Sequence, residues 1–412
     1  MKKSFYLFIA FCAAFFVAQD TYAQGVRYHD FVFDSVSVTT VKYSDTFNLS
    51  MDIYQPVGDS LCHRPVIVLG HEGSFTGGDR GSDNTVVTLC QNFAKRGYVT
   101  ASIDYRLGAA FVLSGNQSMT QDSTYAENEV MEAIGDGKAA VRYFRKDAYT
   151  TNTFRIDTNI IIGGGNSAGA VLFMNYIFIT DVNQVESALQ ATILANGGLE
   201  GNSGNAGYSS RISACLSMSG GLNSPSFVTP QSLPIAHFHG TTDQVVPYTC
   251  ADAEGGAVQV RLCGLGSLDQ LYTDNGVIHK STIYQGQGHV PWDGSTALLA
   301  GVDSINRDFL DSVIAWPSLN YCSLSTGVQT ITMDDLISVY PNPAVQQITI
   351  ALPELSDYSS IQLVDGLGRT INEKQPTSVR TNFDRGSIAG GVYFIRIVKK
   401  DASTVIRKVV FQ

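Results

Sequence analysis

The chain has 412 residues, 44% hydrophobic and 16% charged, which is enough apolar material for one large core and a smaller one. A formal net charge of −10 with no basic run argues against nucleic acid as a partner. Beyond the first residues no apolar run approaches the about 20 positions of a membrane span, so the mature chain is expected to have none.

The chain opens on Met1-Lys2-Lys3, an apolar run over residues 5–18 and the small-residue exit Thr21-Tyr22-Ala23, the order of a secretory signal cleaved after Ala23. Cys12 leaves with that signal. The other six cysteines (Cys62, Cys90, Cys215, Cys250, Cys263 and Cys322) suit an oxidising compartment, and their spacing does not fix connectivity. The best single pairing is Cys250 with Cys263, which bracket one helix-like segment. Cys215 reads equally well as a buried thiol.

Residues 26–56 alternate apolar and polar, as in Phe47-Asn48-Leu49-Ser50-Met51-Asp52-Ile53-Tyr54, and predict antiparallel edge strands. From there, strands beginning near Val66, Tyr98, Asn159, Arg211, Leu233 and Ser281 alternate with helices over 86–96, 126–147, 168–179, 251–262 and 302–316. In the last helix Ile305, Phe309, Leu310, Val313 and Ile314 share a face. The alternation predicts a mostly parallel sheet covered by helices on both sides. Near Cys322 it stops. A polar, threonine-rich linker over 323–335 leads to residues 336–412, where short alternating strands and turns such as Asp365-Gly366-Leu367-Gly368-Arg369 predict a small β-sandwich.

Chemistry concentrates at three strand ends. Gly165-Asn166-Ser167-Ala168-Gly169 follows the strand-like run Asn159-Ile160-Ile161-Ile162-Gly163 and precedes a helix, the setting of a nucleophile elbow whose turn holds the serine at positive φ. A serine hydroxyl needs a neutral imidazole as base and a carboxylate to orient that imidazole. Asp243 lies just past the strand Leu233-Pro234-Ile235-Ala236-His237-Phe238, and His289 lies in the glycine-flexed loop after Ser281-Thr282-Ile283-Tyr284. Carboxyl ends of parallel strands are where catalytic groups gather in such sheets. Asp252 and Asp293 are the alternative acids.

Oxyanion donors are expected from the N–H of Ala168 and from Gly73 and Ser74, in the loop that follows Pro65-Val66-Ile67-Val68-Leu69-Gly70. Glu72, Phe75, Tyr248 and Trp292 flank these loops and are candidate substrate contacts, as is Tyr105. His71 reads as an organiser of its loop. His237 and His239 put two rings on one strand face and imitate a metal pair, but their run continues into the Asp243 turn and no third ligand is placed beside them.

With these motifs, with Arg96-Gly97-Tyr98-Val99-Thr100-Ala101-Ser102-Ile103-Asp104-Tyr105-Arg106-Leu107-Gly108 and with Asp136-Gly137-Lys138-Ala139-Ala140-Val141-Arg142-Tyr143, residues 36–316 resemble the secreted carboxylesterase-type α/β-hydrolases that include feruloyl and acetyl-xylan esterases. The segment His71-Glu72-Gly73-Ser74 resembles their HGGG oxyanion loop but carries Glu72 and Ser74 where glycines are usual. The resemblance implies an α/β-hydrolase fold over residues 24–322 and a cofactor-free esterase acting on small or polysaccharide-linked esters. The same three groups would also serve a peptidase or amidase, and a surface binding protein with an inactive hydrolase lobe is the reading from another class.

The tail closely resembles the type A sorting domain of the type IX secretion system, through Tyr340-Pro341-Asn342-Pro343, Gly368-Arg369, Gly391-Val392-Tyr393-Phe394 and Lys408-Val409-Val410. That implies recognition by an outer-membrane secretion machinery, then release or surface attachment.

Overall fold

The computed structural model describes residues 26–108, 123–314, 337–342, 344–366, 368–401 and 403–411. The expected signal segment, Cys322 and the 323–335 linker lie outside them. The described residues form two compact units, the first with a core on each face of its sheet and the second with a core of its own.

The first unit is built on one eight-stranded sheet. Strands β1 (Val36–Ser44) and β2 (Leu49–Pro56) pair as an antiparallel hairpin at one edge, as their alternation predicts. Then come β3 (Arg64–Gly70), helix α1 (Asn84–Lys95), β4 (Val99–Ile103), α2 (Ser123–Tyr149), β5 (Ile156–Asn166) and α3 (Ala168–Phe178). The chain continues through α4 (Ser187–Ala195), β6 (Cys215–Met218), β7 (Ile235–Gly240), a small hairpin of β8 (Ala251–Ala253) and β9 (Val258–Leu262), then α5 (Leu265–Asp274), β10 (His279–Tyr284) and α6 (Thr296–Val313). The sheet order is β1-β2-β4-β3-β5-β6-β7-β10, parallel throughout except for the pairings of β2.

Because side chains alternate across a strand, both faces of a helix-covered sheet must be apolar. Val66 and Val68 of β3 enter one core with α2, α3 and α5, while Ile67 and Leu69 enter the other with α1 and α6. Asp83 caps α1 by accepting from the Val86 N–H at 3.1 Å. β3 pairs with β4 on one side and β5 on the other, so the strand order reverses there and the loops after β3 and β5 open apart above the sheet. Such a switch point is where a ligand crevice forms.

One predicted element is corrected. The expected helix over 251–262 is the β8–β9 hairpin, with a 3₁₀ turn at Glu254–Gly256 between its strands. Val258, Val260 and Leu262 are buried while Arg261 is exposed, the period of two that a strand requires. The expected disulfide between Cys250 and Cys263 is present and joins the ends of this hairpin. Cys90 and Cys215 are buried free thiols, so the alternative reading of Cys215 holds.

The second unit is a sandwich. One sheet has β11 (Ser338–Tyr340), β12 (Gln347–Ala351) and β15 (Arg380–Asp384), and the other has β14 (Thr370–Lys374), β13 (Tyr358–Val364), β16 (Gly391–Lys399) and β17 (Thr404–Phe411), in those orders. Ile348, Ile350 and Phe383 from the first sheet share a core with Ile361, Leu363, Ile395, Ile397 and Val409 from the second. The motif residue Asn342 has a structural reason: its amide donates to the Lys408 carbonyl and accepts from the Val410 N–H, both at 2.8 Å, which ties the turn to β17.

Candidate active site

Strand β5 runs straight into α3 through Ser167, which takes φ 51° and ψ −114°. A non-glycine residue there is strained, and the surroundings have to hold it. The Ser167 N–H donates to the Met218 carbonyl at 2.8 Å and the Gly169 N–H to the His71 carbonyl at 3.0 Å, so neighbouring strand ends grip the turn. Glycine is required around it. A Cβ on Gly169 would lie 2.1 Å from the Gly70 oxygen, and one on Gly165 would lie 2.4 Å from the Gly169 carbonyl carbon.

The three side chains expected from the sequence come together in one hydrogen-bonded series. Ser167 Oγ stands 2.7 Å from His289 Nε2, and His289 Nδ1 stands 2.7 Å from Asp243 Oδ2. An ionised carboxylate only accepts, so Nδ1 carries the proton and Nε2 is free to accept from the serine hydroxyl. Ser167 and Asp243 are buried, and the His289 side chain keeps 16% exposure.

Asp243 is held on all sides. Its Oδ1 accepts from the N–H groups of Val245 and Val246 at 2.9 and 3.0 Å. Burial opposes its charge, but hydrogen bonds from His239 and His289 outweigh that and keep the carboxyl below its ordinary range. His237 and His239 therefore have a local role. His239 Nε2 lies 2.9 Å from the Val246 carbonyl and 3.3 Å from Asp243 Oδ2, while His237 lies between the Tyr272 hydroxyl and the Gly220 carbonyl. Burial and the neighbouring His239 push the His237 imidazole well below its usual value, which keeps it neutral.

The loop after β3 arches over the serine with three successive residues at positive φ, Gly73 at 121°, Ser74 at 51° and Phe75 at 60°. His71 organises it, as the sequence predicts: its ring stacks on Tyr105 at 4.3 Å and its Nδ1 lies 2.6 Å from the Glu72 carbonyl. Tyr105 is buried, and its O–H donates to the His71 carbonyl at 2.8 Å, so it braces the loop and does not line the cleft. Ser74 and Ala168 flank Ser167 on the wall of an apolar cleft, whereas Gly73 is not on that wall. The N–H groups of Ser74 and Ala168 have no hydrogen-bond partner among the described residues.

Besides Ser74, Ser167 and Ala168, the described part of this cleft is lined by Phe75, Ala126, Val130, Val171, Val245, Val246, Ala253, Glu254, Val260 and Leu262. Phe75 is on this wall, and the other three candidate contacts, Trp292, Tyr248 and Glu72, are not on its described part. Trp292 is fully buried, and its Nε1–H donates to Asn166 Oδ1 at 3.1 Å behind the elbow. Tyr248 packs edge-on against His239, with ring centroids 5.8 Å apart. Glu72 is off the cleft wall. One of its oxygens accepts from Asn166 Nδ2 at 3.3 Å, and that amide also donates to Asp83 Oδ2 at 3.2 Å. Burial first, then the charges of Asp83 and Asp293, raise the Glu72 carboxyl to about 6 against an opposing effect of His289.

Sequence reading missed the hairpin residues of the cleft wall and the role of Asn166. The alternation Val258, Val260, Leu262 and the Gly255-Gly256 pair were the available signals.

A mostly parallel, helix-flanked sheet with a serine at the strand-to-helix turn beside its switch point is the α/β-hydrolase architecture. Residues 51–194 match the family model described as BD-FAE, and residues 338–412 match the one described as Secretion system C-terminal sorting domain. The first unit thus carries an esterase-like α/β-hydrolase domain of the BD-FAE type, and the sorting domain after it indicates type IX secretion to the cell surface or the extracellular space. Among solved structures, esterase 2 of Thermogutta terrifontis phosphorylated by paraoxon aligns with a TM-score of 0.50 at 19% identity, over 69% of this chain and 97% of that one. The propionate-bound esterase of the same organism gives 0.50 and 19%, again over 69% and 97%. Likeness at this identity concerns the fold. No curated protein matches the chain. Among the described residues no helix is long and apolar enough to cross a membrane.

Proposed function

We propose that the protein is an exported serine hydrolase that cleaves carboxylic esters through Ser167, His289 and Asp243. Ser167 Oγ attacks the ester carbonyl carbon while His289 Nε2 takes the hydroxyl proton, and Asp243 orients the ring and offsets its positive charge. The N–H groups of Ala168 and Ser74, which flank Ser167 and have no other partner among the described residues, are the donors for the oxyanion that forms. On collapse His289 gives its proton to the departing alcohol, leaving an acyl group on Ser167. A water, deprotonated by the same imidazole, then attacks the acyl carbon and releases the acid. The reaction needs no cofactor.

The observation that carries this reading is the continuous series Ser167, His289, Asp243, with 2.7 Å at each step, set against an apolar cleft. The BD-FAE match supports ester chemistry, and export through the sorting domain supports a substrate met outside the cell. Acetyl or feruloyl esters on polysaccharides are the substrates proposed.

Ser167→Ala is expected to lose several orders of magnitude of p-nitrophenyl acetate turnover with an unchanged circular dichroism spectrum. Wild-type turnover in that variant would remove the proposal. A matched pair of ester and amide substrates tests the bond cleaved, with the ester hydrolysed faster.

A further inference from the structure

Resting on the serine-hydrolase reading, we infer that Glu254 is a positioning residue for the oxyanion: its carboxyl holds Ser74 in the bent backbone from which the Ser74 N–H donates, and its main chain fastens that loop to the loop of Asp243. Ser74 stands where the HGGG loop that this segment resembles has glycine. At φ 51° it takes a left-handed conformation that costs glycine little and strains serine, and Phe75 beside it does the same at 60°. Within the loop the Thr76 and Gly77 N–H groups donate to the Gly73 carbonyl at 2.9 and 3.1 Å, which closes the turn around Ser74 but leaves its side chain to be held from outside. The Ser74 hydroxyl donates to Glu254 Oε1 at 2.6 Å, the short range of a hydroxyl on a carboxylate, across 180 positions of the chain.

Glu254 is itself held. It sits at φ 54° at the tip of the β8–β9 hairpin, where its N–H donates to the Val245 carbonyl at 2.9 Å and the Gly255 N–H donates to the Gln244 carbonyl at 2.6 Å. Val245 is one of the two residues whose N–H groups hold Asp243 Oδ1. The Cys250–Cys263 disulfide joins the other end of the hairpin. One residue thus ties the loop that supplies an oxyanion donor to the loop that supplies the acid. An oxyanion donor acts on charge that develops only in the transition state, so a displaced Ser74 N–H lowers kcat and leaves KM in place. Because glycine takes positive φ without strain, the tether matters only while residue 74 carries a side chain.

The test measures kcat and KM on p-nitrophenyl acetate and butyrate for the full mature chain and for Glu254→Ala, Glu254→Gln, Ser74→Gly and the double variant Ser74→Gly with Glu254→Ala. Turnover is expressed per site titrated by a fluorophosphonate, so that misfolded protein does not count. Glu254→Ala is expected to lose about tenfold or more of kcat on both esters, with KM within about twofold of the wild type. Glu254→Gln, which keeps an acceptor oxygen at the same reach, is expected to recover most of that loss. In the Ser74→Gly background the Glu254→Ala change is expected to cost less than about twofold, the non-additivity of two groups that act through one contact. Wild-type kcat in Glu254→Ala, a loss that falls in KM or on one ester alone, no recovery in Glu254→Gln, or an equal loss in the Ser74→Gly background would overturn the inference. Ser167→Ala separates the two levels. Turnover kept in that variant removes the serine-hydrolase reading itself, whereas turnover lost there with wild-type kcat in Glu254→Ala removes only the role of Glu254.

Discussion

Glu72 stands where the oxyanion loop that this segment resembles has glycine, and its carboxyl sits half-buried beside Asp83 with its proton held up to about 6. In the unfolded chain the same group titrates near 4.5. The folded protein thus binds this proton over a window where the unfolded chain has lost it, so Glu72 costs stability as pH rises from about 4.5 to about 6. The shift corresponds to about 2 kcal/mol, or about 1 kcal/mol once solvent screening of a half-exposed group is allowed for. Glu72→Gln is expected to exceed the wild type in stability by about 1 kcal/mol at pH 8 and to lose that advantage at pH 4, as measured by urea unfolding at the two values. Ser167, His289 and Asp243 were legible in the sequence because each follows a strand within a few residues and has glycine or turn residues around it. Trp292 was not. Nothing in Gly288-His289-Val290-Pro291-Trp292 says that the indole turns inward to reach Asn166, because that direction is set by a partner far away in the chain.

At the scale of elements, the hairpin between β7 and α5 is where local propensity misled. Ala251, Ala253, Glu254 and Ala257 favour helix, but Gly255 and Gly256 take φ 65° and 89°, which turns the chain back on itself. The alternating apolar side chains then bury one face of a ribbon, and tertiary burial outweighs the few tenths of a kcal/mol per residue at stake in propensity. The parallel strands were read well because each is a short apolar run, whereas exposed β14 and the small α4 and α5 had no periodicity strong enough to declare them. With its cysteines 13 positions apart, the bridge should remove about 3 kcal/mol of unfolded-chain entropy. Replacing both cysteines by alanine is expected to lower unfolding stability by about that amount, as measured by denaturant titration under non-reducing conditions.

For the molecule as a whole, two compact units, each with hydrophobic packing of its own, mean two separate tasks. Within the sandwich, Asn342 and Ala344 are hydrogen-bonded to the main chain of β17. None of the three side chains that perform the proposed chemistry lies in it. A chain ended at residue 322 is expected to keep wild-type kcat/KM on p-nitrophenyl acetate and to accumulate inside cells that export the full chain. Turnover on purified truncated protein, with cell fractionation, checks both halves of that expectation. The boundaries at 322 and 336 proposed from composition rest on the same logic, since a linker without periodicity has no face to bury.

The contact of Gly70, Gly165 and Gly169 leaves no space for even one added carbon between β3, β5 and the start of α3. This has an evolutionary meaning. The reactive crest is frozen by backbone meeting backbone, so a lineage adapting to new food sources has no gradual route through it. Substitution is expected at the rim instead, where side chains of the β8–β9 ribbon and of a neighbouring helix can be exchanged one at a time without moving the turn that carries Ser167.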